Sequence, residues 1–109
     1  MLQAEAVERL LSELTQQERT GAVAYLTDSP IPAGERLVLP RLVIDVEQLA
    51  WAAFIDRQPQ SDWGHACRYL LINDASGEAR SFEAQFPPFR PGSPWNWRPV
   101  YEAPPSRDS

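Results

Sequence analysis

WGHACRYLLINDASGEARSFEAQF, residues 63–86, reads as a β-hairpin, and that reading decides the fold class. His65, Cys67, Tyr69 and Leu71 alternate with Ala66, Arg68, Leu70 and Ile72. A period of two sends neighbouring side chains to opposite faces of a sheet. Asp74-Ala75-Ser76-Gly77 supplies the turn, with Asp to open it and Gly to accept the left-handed conformation of a bulged loop. The return strand carries Phe82, Ala84 and Phe86 on one face. Ser81, Glu83 and Gln85 lie on the other, which can therefore stay wet.

Upstream of the hairpin, Leu49 to Asp56 (LAWAAFID) is an apolar run too short for a well-formed helix and is expected as a strand. The loop Arg57 to Asp62 follows, with Pro59 to break pairing. Arg36 to Val46 is also extended, with Leu42, Ile44 and Val46 on one face. Pro40 within it argues for an edge or a bulge. Thr27 to Glu35 (TDSPIPAGE) is a break.

The N-terminal part is helical in pattern. Val7, Leu10, Leu11 and Leu14 recur at helical spacing along Ala4 to Leu14, opposite Glu5, Glu8, Arg9 and Glu13. Thr15-Gln16-Gln17-Glu18 has the form of a capping box, in which hydroxyl and carboxylate satisfy free amides at a helix start. It predicts a second short helix over about Gln16 to Leu26, with Ala22, Val23 and Leu26 inward. A single helix bent near Thr15 is the competing expectation.

Within residues 87–102, five prolines (Pro87, Pro88, Pro91, Pro94 and Pro99) predict an extended surface segment rather than a regular element. The expected organisation is one α+β domain over 1–102: helical over 1–27, a mainly antiparallel four-stranded sheet over 36–86, and an extended Pro/aromatic segment over 87–102. Residues 103–109 are expected to be disordered.

Composition narrows the function classes. A net charge of −5 in 109 residues opposes nonspecific binding to phosphate backbones. All ten basic residues are arginine, as codon usage in a GC-rich bacterial genome would favour; avoidance of amine chemistry is the sharper alternative. The lone cysteine cannot form an internal disulfide. The start Met1-Leu2-Gln3-Ala4-Glu5 lacks a basic and then apolar leader, and no run approaches the roughly 20 apolar residues of a membrane span. The expectation is a cytoplasmic protein that binds neither nucleic acid nor membrane.

Two groups of side chains carry candidate chemistry. Cys67 and His65 share a strand face, and a thiol beside an imidazole is the start of nucleophilic cysteine chemistry. Catalytic Cys and His usually come from separate parts of a chain, however, so a buried thiol beside a half-exposed imidazole is the structural alternative. Asp45, Asp56, Asp62 and Glu83 could pair as acid and base, but one sequence cannot bring them together. No metal-ligand spacing, phosphate cradle or cofactor fingerprint is present, so no metal and no cofactor is expected.

The second group is aromatic. Trp51, Trp63, Trp95 and Trp97 either anchor the C-terminal segment to the sheet or leave an exposed patch for another protein. The run Phe86-Pro87-Pro88-Phe89-Arg90-Pro91 could lie extended in a partner's aromatic groove. The expected function is a non-enzymatic protein-binding module (adaptor, inhibitor or accessory subunit) using Phe89, Arg90, Trp95, Trp97 and Tyr101. The alternative is a small cysteine-dependent hydrolase or transferase using Cys67 and His65. A third expectation is a homodimer seam at the sheet edge near Pro40 or at the hairpin.

Overall fold

A computed structural model describes residues 1–59, 64–89 and 94–103. Helices α1 (Gln3–Glu13) and α2 (Gln16–Gly21) precede strands β1 (Val23–Thr27), β2 (Arg36–Leu39), β3 (Leu42–Asp45), β4 (Ala50–Asp56), β5 (Cys67–Asn73), β6 (Ala79–Ala84) and β7 (Trp97–Glu102). Five strands form an antiparallel sheet in the order β6-β5-β4-β1-β7, and β2-β3 is a separate two-stranded ribbon. The class is α+β, with five strands in the main sheet rather than the expected four.

The hairpin of the opening stretch forms as read. β5 and β6 pair from Cys67 opposite Ala84 to Ile72 opposite Ala79. Gly77 closes the turn at φ +76°, a conformation an L side chain rarely adopts. Asn73 assists, its side-chain oxygen accepting from the amides of Ala75 and Ser76.

β4 is buried at every position, and β5 at all but Asn73. Strands covered on both faces need no polar alternation, which is why LAWAAFID reads as a continuous apolar run. One face lies under the helices: Ala6, Leu10 and Leu14 pack on Ala24, Leu26, Trp51, Ala53, Ile55, Leu70 and Ile72. The other lies under the ribbon: Leu37, Leu39, Ile44 and Val46 meet Ala52, Phe54, Cys67, Tyr69 and Leu71. Each large aliphatic chain withdrawn from water contributes roughly 1.5–3 kcal/mol.

Two expectations about element boundaries are corrected. The second helix stops at Gly21, and Val23–Thr27 is β1, set between β4 and β7. The apolar residues of 22–26 suit a period of two as well as a helix, and a central sheet position that buries Ala24 and Leu26 decides between them. The region 1–27 is thus helical only to Gly21. The Pro/aromatic segment is likewise not wholly irregular, since Trp97–Glu102 is the edge strand β7. An edge tolerates Pro99, whose missing N–H can face away from the ladder. Of the expected disordered tail, residues 104–109 lie outside those described.

Arg36 to Val46 folds back on itself. Pro40 and Arg41 form the two-residue turn of the ribbon, with Arg41 at φ 59°. Proline's fixed negative φ followed by a positive φ is the sign pattern of a type II turn. Pro40 is thus a turn residue rather than an edge or bulge residue.

The capping box forms reciprocally: Glu18 N donates to Thr15 Oγ1 at 3.1 Å, and Thr15 N donates to Glu18 Oε1 at 2.9 Å. Glu18 does more than cap. Its buried carboxylate accepts from Arg68 Nε and Nη2, both at 2.8 Å, and from Arg57 Nε at 2.9 Å. Burial alone would raise this carboxyl's pKa, but hydrogen bonds from Arg68, the Thr15 backbone and Arg57 outweigh it and hold it at about 2.

Glu18→Ala leaves the buried Arg68 guanidinium without its counter-charge and is expected to cost about 3–5 kcal/mol in chemical denaturation. A loss below about 1 kcal/mol would show that the pair contributes little. Glu18's pKa is lower folded (about 2) than its ordinary 4.5. Its contribution is therefore complete above the higher value and drains away as pH falls toward the lower one. The wild-type acid limb should flatten over that interval in Glu18→Gln.

Candidate functional site

β4 ends and β5 begins at the same end of the sheet, with Asp56 directly opposite Cys67. His65 lies just before β5, where its amide donates to the Gln85 carbonyl at 2.7 Å. Gly64 beside it passes so close to the Phe86 ring that an added Cβ would lie 2.7 Å from a ring carbon. This close approach brings the His65 backbone against the end of the hairpin.

His65 Nε2 lies 2.7 Å from Asp56 Oδ1, and both residues are buried. The same carboxylate oxygen accepts from the Gln58 amide at 3.0 Å. The imidazole is thus matched with a carboxylate nine residues upstream, a pairing the sequence reading did not make. Asp56 at the end of an apolar strand was the available signal. Its partner depended on how the intervening loop closes.

Cys67 is fully buried. Burial first, and then the negative charge of Asp56, push its thiol up to about 11. A nucleophilic cysteine needs the reverse, a pKa lowered by nearby positive charge and access for substrate. A carboxylate that orients an imidazole is one part of a relay, but here the adjacent thiol is held neutral and shielded.

On the other face of the same strand ends, Arg57 links Glu18 to Glu83. It donates to Glu83 through Nη1 at 2.8 Å and Nη2 at 3.1 Å. The hydrogen bonds it donates to Glu83 lead the forces that raise the pKa of Arg57 above its usual value. Glu83 is therefore matched with arginine rather than with a second carboxylate. Asp45 is matched with Arg36 in the ribbon, and Asp62 lies outside the described residues. Among the described residues, no three His, Cys, Asp or Glu side chains are grouped to hold a metal ion.

The aromatic residues divide between the two faces. Tyr25, Phe54 and Tyr69 form a row across β1, β4 and β5, with centroids 5.8 Å and 5.1 Å apart. Phe89 stands edge-on against that row, 5.0 Å from Tyr25 and 5.7 Å from Phe54, yet remains 53% exposed. Trp95 and Trp97 are half-buried on the same face, and Trp97 meets Tyr69 edge-on at 6.1 Å.

Tyr101 is separated from them. The extra residue of a bulge in β7 shifts the register opposite Ala24 and Tyr25. Tyr101 consequently packs on the helix face, where its hydroxyl donates to the Arg19 carbonyl. Trp51 faces the helices as well. Arg90 and Trp63 lie outside the described residues.

The described part of the Pro/aromatic run lies against its own sheet. Tyr69 Oη donates to the Phe86 carbonyl at 2.7 Å, Pro88 is buried, and Arg41 of the ribbon turn stacks 5.2 Å above the Phe86 ring. A shallow cleft lined by Glu47, Gln48, Ala50, Leu71, Asn73, Glu78 and Arg80 opens beside the β5–β6 turn. Its cation, Arg80, leans over Phe82 at 5.2 Å, and two carboxylates oppose an anionic occupant.

No family model matches the chain, and no curated protein or solved structure is significantly similar to it. No helix among the described residues is long and apolar enough to cross a membrane.

With its thiol neutral and covered, Cys67 should react with a thiol-specific disulfide reagent near pH 8 at least about a hundredfold more slowly in the native protein than in denaturant. Equal rates in the two states would overturn the placement of this side chain.

Proposed function

We propose that this chain is a non-enzymatic protein-binding module whose contact surface is the aromatic corner of Tyr25, Phe89, Trp95 and Trp97. The observation that supports the reading is the setting of Phe89. A large apolar ring is half exposed while its inner edge rests on Tyr25 and Phe54. A ring already immobilised by its own fold loses little side-chain freedom when a partner covers it, and aromatic anchors of this kind dominate interface energetics. Half-buried Trp95 and Trp97 on the same sheet face extend the apolar area, and Tyr and Trp are favoured at such surfaces.

This surface is smaller than the residue set expected from sequence. Tyr101 faces the helices and serves the fold, and Arg90 lies outside the described residues. The partner is a protein that offers an apolar, shape-matched patch, with this chain as its cytoplasmic adaptor, inhibitor or accessory subunit. A single buried cysteine and no disulfide suit a reducing compartment.

Phe89→Asp tests the surface without cutting the sheet, whereas truncation at Phe86 would also remove the edge strand β7. Affinity capture from native extract should recover a specific partner with the wild-type chain and lose it, by at least about tenfold, with Phe89→Asp. That loss corresponds to about 1.4 kcal/mol or more at the contact. Unchanged capture by a folded variant would move the interface elsewhere, and no capture by the wild type would remove the reading.

A further inference from the structure

The ribbon β2-β3 has an inner face that closes the core and an outer face whose side chains are exposed. Leu37 pairs with Ile44 and Leu39 with Leu42 on the inner side. On the outer side Val38 is paired with Val43, and the two are 58% and 53% exposed. Next to them, Arg36 is paired with Asp45, with Nε 3.0 Å from Oδ1 and both side chains largely in water. The outer face is therefore an apolar pair beside a pair of opposite charges, one member of each pair on each strand.

We propose that a second copy of this chain docks on this outer face, forming a weak two-fold dimer. The charge arrangement selects that occupant. A two-fold axis lying in the interface and parallel to the strands places β2 of one copy over β3 of the other. Paired residues sit at the same height along the ribbon, so Arg36 comes over the partner copy's Asp45 and Asp45 over its Arg36. The same operation stacks Val38 on the partner copy's Val43. Four charges then alternate in sign around a ring beside a cluster of four valines. A self-complementary patch of this kind is what an isologous contact requires, and face-to-face packing of β-layers is its usual geometry.

The contact is small. Four residues per strand at about 3.4 Å each make a face about 14 Å long, well short of the roughly 800 Å² per partner in a stable complex. The dimer is consequently weak and concentration-dependent. It weakens as salt screens the ring. It uses a different surface from the aromatic corner around Phe89 and does not depend on that reading.

A charge-swap experiment on the full chain tests it by sedimentation equilibrium. The wild-type mass should rise from 12.3 kDa toward twice that value as concentration approaches about 1 mM. Arg36→Asp makes the outer face wholly acidic and Asp45→Arg makes it wholly basic, so each variant alone should remain monomeric. Mixed in equal amounts, they should associate at least as well as the wild type, because each face now meets its opposite. Val38→Thr/Val43→Thr, which keeps strand-favouring side chains, should weaken self-association. Phe89→Asp should leave it unchanged. A wild-type chain that stays monomeric, single variants that associate normally, a mixture that does not associate, or sensitivity to Phe89→Asp would each overturn the proposal.

Discussion

A guanidinium placed within a sheet needs a negative charge to meet it, and α2 exists in this fold largely to deliver one. Arg68 belongs to β5, which is otherwise apolar on the same face through Leu70 and Ile72. Glu18 reaches it from the first turn of a helix only six residues long. A helix that short is marginal by itself. Its capping box and its two arginine partners hold it, and it in turn settles where the chain enters β1. Arg68 also donates to the Glu13 carbonyl at the end of α1, so the same guanidinium ties both helices to the sheet.

The second constraint is that β4 and β5 are apolar on both faces. A sheet of this kind must be covered twice, and a chain of this length has limited material to do it. The solution is unequal: amphipathic α1 and the short α2 over one face, a two-stranded ribbon with Phe89 and Trp95 over the other. The ribbon's outer valines and the half-exposed Phe89 both belong to the second covering layer. The surfaces on which binding is proposed thus arise where a thin layer shields the core and leaves Val38, Val43 and Phe89 exposed.

Burial also sorts the polar side chains. Asp56 and His65 satisfy one another, Arg57 is held between Glu18 and Glu83, and Cys67 stays a neutral thiol among aromatic and aliphatic neighbours. Among the described residues, no buried side-chain nitrogen or oxygen is left without a hydrogen-bond partner. The polar groups nearest the thiol are thus each matched by a partner at the end of the sheet.

Local pattern determined the β5–β6 hairpin with its Asp-to-Gly turn, strand β4, the apolar stripe of α1 and the capping box at Thr15. Each rests on contacts within a few residues, on turn chemistry, or on side-chain periodicity that the sequence carries directly. Tertiary structure decided the rest. Whether 22–26 continues a helix or becomes β1 depends on β4 and β7 being present on either side. Whether the proline-rich segment ends in a strand depends on a free sheet edge beside β1. The pairing of His65 with Asp56 and the separation of Tyr101 from Trp97 depend on loop closure and on one bulged residue. Sequence spacing names which side chains can react or bind, but long-range register and burial decide which of them meet.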